Sequence, residues 1–78
     1  MSQHTLDARR LLCPLPVIRT QNMAKKLNPG DTLSVTCTDP GAESDIPAWS
    51  RINGHKVLEI KHDDEADELI ITIEIGEA

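Results

Sequence analysis

The chain has one aromatic residue, Trp49, and no phenylalanine or tyrosine among its 78 residues. Aliphatic side chains must therefore build the core, and a base-stacking platform, which needs several aromatics on one face, is not expected. Cysteine is equally scarce. Cys13 and Cys37 are too few for a disulfide scaffold, and their separation matches no zinc-ligand spacing. No stretch approaches the roughly 18 apolar residues of a membrane span, so no membrane partner is expected. Positive charge is in the minority, with 8 Lys and Arg against 13 Asp and Glu and a net charge of −5. That balance argues against general nucleic-acid binding. Met1 to Thr5 lack a basic segment leading into an apolar one, and from this we expect no secretory signal and a reducing, cytoplasmic setting. So short a chain buries only roughly 60% of its unfolded surface, which predicts one domain over residues 1–78 and surface chemistry rather than a deep cavity.

The net charge hides an asymmetry. Residues 1–38 carry five cations against two carboxylates, and residues 39–78 carry three against eleven. If the halves segregate in space, the basic one, with Arg9, Arg10 and Arg19, can steer a partner whose surface is acidic. A solvated acidic hairpin is the plainer reading of the second half.

Six short elements are legible. Gln3 to Ala8 reads as a first strand. Helical spacing begins at Cys13-Pro14, with Val17, Thr20, Ala24 and Leu27 on one face, and Asn28-Pro29-Gly30 stops it. Thr32 to Thr38 alternates, with Leu33, Val35 and Cys37 on one side and hydroxyls on the other. Ser44 or Asp45 can cap a second helix whose first turn tolerates Pro47. Ile46, Trp49 and Ile52 would form its inner face, and Asn53-Gly54 would end it. Val57, Leu58 and Ile60 mark a third strand, Asp63 to Glu68 an acidic turn, and Leu69 to Ile75 a fourth strand. The prediction is an α/β chain of the α+β two-layer kind, order βαβαββ. Two helices lie on one face of a four-stranded mixed sheet, whose first two strands are parallel.

Chemistry concentrates at Cys13-Pro14-Leu15-Pro16. Pro14 biases Cys13 toward the extended backbone of an N-cap and itself suits the first helical position. Pro16 falls in the same turn, where a missing N–H costs nothing. On this reading the Leu15 N–H stays available to the cap side chain. A sulfur there, with Arg9 and Arg10 close in sequence, is favoured as thiolate or persulfide anion. The competing reading is a buried core cysteine. No histidine or carboxylate stands in a recognised relation to Cys13, so a cysteine hydrolase is poorly supported. Cys37 has the buried parity of its strand. His4, His55 and His62 are scattered without ligand spacing, so no metal is expected. Asp39 either orders the loop beside Cys13 or is an ordinary turn aspartate.

Taken together, His4-Thr5-Leu6-Asp7-Ala8, Cys13-Pro14-Leu15-Pro16, Asn28-Pro29-Gly30-Asp31-Thr32-Leu33, Asp39-Pro40-Gly41 and Asp45-Ile46-Pro47 resemble the TusA/SirA-like sulfur-carrier family. The resemblance implies a βαβαββ sandwich in which Cys13 takes sulfur as a persulfide. The donor would be a cysteine desulfurase or rhodanese-like enzyme. An acceptor protein would receive the sulfur, toward 2-thiouridine in tRNA in some members and along sulfur-oxidation or cofactor routes in others. It implies Cys13 as the catalytic residue, with Pro14, Pro16, Arg9, Arg10 and Asp39 as loop support and no cofactor beyond the covalent persulfide. A monomer without direct nucleic-acid contact is expected. The family usually has glycine three residues before this cysteine, where this chain has Arg10, which points to a backbone position hard for other residues. A redox thiol switch and a non-catalytic regulatory module are the alternative functions.

Overall fold

The computed structural model describes residues 2–12 and 14–76. Its elements are β1 (Gln3–Ala8), α1 (Leu15–Ala24), β2 (Thr32–Cys37), α2 (Ala42–Ile52), β3 (Lys56–Asp63) and β4 (Glu68–Glu74). The βαβαββ order is as expected, and both helices pack on one face of a mixed sheet of strand order β1-β2-β4-β3.

Alternation in β2 and β4 organises the core. Leu33, Val35 and Cys37 from β2, with Ile71 and Ile73 from β4, have no exposed surface, and Leu69 and Ile75 are nearly as buried. These two strands take the central positions, so their apolar faces are the ones the helices cover most completely. On the opposite face Ser34 Oγ and Thr72 Oγ1 lie 3.0 Å apart in a cross-strand hydrogen bond. β1 runs parallel to β2 from Gln3 opposite Thr32 to Ala8 opposite Cys37, so the two strands end level with each other.

The third strand departs from expectation. β3 extends to Asp63, leaving a tighter acidic turn at residues 64–67, and of its apolar residues only Val57 packs against the core. Leu58 is 46% exposed and Ile60 37%, because β3 lies at the sheet edge and its register with β4 shifts between Val57 and Glu59.

The second helix also differs. Its N-cap is Gly41, neither Ser44 nor Asp45, because Asp39 Oδ1 accepts the Gly41 N–H at 3.1 Å and folds the Asp39-Pro40-Gly41 turn directly into the helix. The earlier start puts Pro47 inside the helix, where it cannot donate to the Glu43 carbonyl. Burial falls on Ala42, Ile46, Pro47 and Ser50, with Trp49 half-buried, while Ile52 points away and is 84% exposed. The four-residue spacing from Ala42 through Ile46 to Ser50 defines the inner stripe, and Ile52 falls about 120° outside it. Two buried hydroxyls are satisfied within the helices: Thr20 donates to the Pro16 carbonyl at 2.7 Å and Ser50 to the Ile46 carbonyl at 2.8 Å.

At the end where β1 starts, buried Asp31 gathers the chain. Its Oδ1 accepts the Ser2 N–H at 3.0 Å, its Oδ2 accepts the Asn28 N–H at 3.1 Å, and His4 Nε2 lies 3.4 Å from Oδ2. The two backbone donors, and secondarily His4, hold this carboxyl below the usual range.

Ile46→Ala should cost about 2–5 kcal/mol, whereas Ile52→Ala should stay within about 0.5 kcal/mol, both read as urea midpoints at constant m-value. The depressed Asp31 carboxyl stabilises the fold fully above its unfolded pKa, near about 4, and the contribution fades as pH falls toward the folded value. Asp31→Asn should therefore lower stability at neutral pH and flatten the acid limb of the stability curve, measured by urea unfolding between neutral pH and acid.

Candidate functional site

The level ends of β1 and β2 bring two loops together: Arg9 and Arg10 after β1, and Thr38 to Gly41 after β2. A hydrogen bond ties them, in which the Arg10 backbone N–H donates to Thr38 Oγ1 at 2.7 Å. Arg10 adopts φ 66, a left-handed conformation that costs a residue with a side chain about 1–2 kcal/mol and glycine almost nothing. A glycine would take this backbone conformation without the strain.

The two arginines differ in what they face. Arg9 is engaged on both sides: Nε and Nη2 each reach an oxygen of Asp7 at 2.9 Å, and Nη1 lies 3.4 Å from Glu68 Oε2 at the start of β4. Arg9 also donates its backbone N–H to Asp7 at 3.0 Å. Chiefly through the Arg9 side-chain bonds, the Asp7 carboxyl is lowered to about 2, and Arg9 is held firmly in its charged form. The charge of Arg9 is thus balanced by two carboxylates. Arg10 is exposed, and among the described residues its guanidinium has no ion-pair partner. An open depression of about 430 Å³ between the loops is lined by Asp7, Arg9, Arg10, Thr38, Ala66 and Glu68.

Beyond Arg10 the chain turns into α1. Leu15 donates its N–H to the Leu12 carbonyl at 2.8 Å, and Ile18 bonds to the Pro14 carbonyl at 3.1 Å. Pro14 is therefore the N-cap and Leu15 the first helical residue, one position later than expected. The Leu15 N–H is consumed by Leu12 and is not available to a cap side chain at position 13. Cys13 lies outside the described residues. Its neighbours Leu12, 74% exposed, and Pro14 are on the surface, as are Leu15 and Ile18, each 45% exposed. Pro16 is buried in the first turn, where its missing N–H costs no helical bond. This end of the fold therefore presents an apolar surface around the Cys-Pro-Leu-Pro segment with the Arg10 cation nearby in sequence.

Cys37, the other thiol, has no exposed surface. Burial, and secondarily the negative charge of Asp39, push it up to about 11. Asp39 is half-buried and its side chain holds the Gly41 N–H at the entry to α2.

The histidines are scattered, as expected, and each has a local role. His4 faces Asp31, His62 Nε2 lies 2.6 Å from Glu43 Oε1, and His55 packs on Trp49 at 5.0 Å between ring centroids. Burial lowers the His55 pKa, and its Nδ1 accepts the Gly76 N–H at 3.0 Å. Among the described residues no three His, Cys, Asp or Glu side chains come together as a metal site. No helix is long and apolar enough to cross a membrane.

Two residues of this site are not singled out by sequence reasoning. Thr38 reads as one more hydroxyl on the wet face of β2, and Glu68 as part of an acidic turn. Partners 28 and 59 residues away leave no local trace, although a threonine just past a strand end and beside Asp-Pro-Gly is a hint.

The family model of the sulfurtransferase TusA matches residues 4–75. YrkI of Bacillus subtilis (strain 168), described as a candidate sulfur carrier, is 43% identical over 75 residues, 96% of this chain and 97% of its own length. The sulfur carrier protein TusA of Allochromatium vinosum is 36% identical over 58 residues, 74% of this chain and 76% of its own. The crystal structure of a SirA-like protein from Desulfitobacterium hafniense superposes with a TM-score of 0.82 at 25% identity, covering 95% of this chain and 99% of that one. The chain belongs to the TusA family of sulfur carriers.

At pH 7 a thiol of pKa about 11 is ionised only about once in ten thousand molecules. Iodoacetamide should leave Cys37 unmodified in the native protein and label it on unfolding in urea, read by peptide mass spectrometry. Native-state labelling of Cys37 at the rate of an unfolded control would contradict its burial.

Proposed function

We propose that this protein carries sulfane sulfur as a persulfide on Cys13, taking it from a donor enzyme's persulfide and handing it to an acceptor protein. Family membership supports sulfur transfer in general. The observation that carries the assignment to Cys13 is the condition of the other thiol. Cys37 is sealed in the core and held protonated, so it is a poor nucleophile. The exposed apolar neighbours of Cys13, with Arg10 three residues earlier, suit a thiolate that meets protein partners in turn.

The chemistry needs little else. The Cys13 thiolate attacks the outer sulfur of the donor persulfide. A new S–S bond forms, the donor's S–S bond breaks with its electron pair, and the donor cysteine leaves as thiolate. Sulfane sulfur has moved without net oxidation, and no cofactor or metal enters the step. A second thiol, on the acceptor, repeats the exchange at the outer sulfur of Cys13. Pro14 and the buried Pro16 fix the chain on the far side of Cys13, while Arg10 supplies positive charge that favours the anion. A cysteine desulfurase or a rhodanese-like enzyme is the fitting donor class. Thiolation of tRNA and sulfur oxidation are the routes that would consume the sulfur.

Incubated with a cysteine desulfurase and cysteine, or with rhodanese and thiosulfate, the protein should gain one sulfur atom at Cys13 by mass spectrometry. Cys13→Ser should abolish the gain, and Cys37→Ser should leave loading intact while lowering stability modestly. Loading that survives Cys13→Ser and disappears in Cys37→Ser would overturn the assignment. A disulfide or sulfenate in place of the added sulfur would favour a redox switch.

A further inference from the structure

We infer that Thr38 is a positioning residue for sulfur transfer, acting through the backbone of Arg10. Three observations converge on it. Arg10 is one of two described non-glycine residues with positive φ, the other being Asp67 in the acidic turn. Its N–H is held by Thr38 Oγ1 at 2.7 Å, shorter than the usual N–H···O distance of about 2.9 Å. Thr38 is itself fixed, since it directly follows β2, whose neighbour Cys37 is fully buried, and precedes the turn that starts α2.

A left-handed arginine is an unfavourable conformer that reverts to a right-handed or extended one when nothing holds it. Reversion would swing the peptide after Arg10 and re-aim Leu11 and Leu12, which lead into Cys13. Without the Thr38 bond, the observed course of the Arg10-Leu11-Leu12 segment is populated only fractionally, and transfer slows by that fraction. A glycine at this position would hold the conformer nearly free, so the hydroxyl matters because this chain has an arginine there. Thr38 touches neither sulfur nor partner on this account.

The inference rests on Cys13 being the sulfur-bearing residue, and the two fail differently. Loss of the hydroxyl in Thr38→Val should slow sulfur loading from the desulfurase about tenfold, the loss expected when the competent loop falls to about a tenth. Thr38→Ser, which keeps the acceptor, should restore most of the rate. In an Arg10→Gly background, Thr38→Val should cost about twofold or less, because glycine keeps the conformer without help. A merely structural threonine would not give this dependence on residue 10. In the unaltered protein the Arg10 amide should exchange with solvent more slowly than the neighbouring exposed amides, an arm that holds even if a variant misfolds. Three outcomes would each overturn the inference: equal loading by Thr38→Val and the unaltered protein, equal losses from Thr38→Val with and without Arg10→Gly, or a fast Arg10 amide. Loading that survives Cys13→Ser would instead overturn the reading on which it stands.

Discussion

Parallel pairing of β1 with β2 is the constraint on which the rest of the structure depends. Parallel neighbours cannot be joined by a tight hairpin, so the chain must cross over, and α1 is that crossover. The crossover sends the segment after β1 to the carboxyl end of the sheet, where β2 also finishes and where α2 begins. Because Ala8 stands opposite Cys37, both strands stop at the same level, and the loops that follow come within hydrogen-bond reach. β4 enters antiparallel to β2, so its first residue, Glu68, arrives at the same end and meets Arg9. Three segments far apart in sequence thus assemble one rim.

The same topology buries one of the chain's two thiols. Cys37 is the last inward residue of a central strand, under the helices, and burial keeps its proton on. Cys13 belongs by sequence to the crossover, in a run whose neighbours on both sides are exposed. A sulfur carrier gains from the burial of Cys37, since an accessible thiolate there could attack a persulfide elsewhere on the chain.

The parts of the fold legible in the sequence were those governed by period. The alternation of Leu33, Val35 and Cys37, and of Leu69 to Ile75, marked the two central strands and their buried face, because burial on one side of a pleated strand leaves a period of two. β3 was legible as a strand but not as an edge, since strand order is set by tertiary pairing. Helix starts were less legible. Asp39 takes over the capping of α2 through a turn bond before the helix, and Leu12 takes the Leu15 donor that position 13 was expected to hold. Ile52 misled because spacing by three and six places a residue on a plausible face until the stripe through Ala42, Ile46 and Ser50 is known. The Cys-Pro-Leu-Pro element was legible through its chemistry and its family resemblance. Cys13 itself lies outside the described residues, so its role stands on that chemistry and on the family.

Electrostatics at the rim followed neither the net charge nor the count of arginines. Arg9 and Arg10 are adjacent and equal in charge, yet one is bound by Asp7 and Glu68 while the other stays exposed. The division lies in the partners within reach: Arg9 finds Asp7 in β1 and Glu68 at the start of β4, whereas among the described residues Arg10 has no ion-pair partner, although both side chains line the same depression. Of the two, only Arg10 carries a charge that no ion pair balances among the described residues, and the basic character of the first half of the chain is partly cancelled by the acidic second half folding back through β4. A carrier that must bind and release successive partners needs this economy, because long-range attraction speeds encounter, whereas several desolvated ion pairs would slow release.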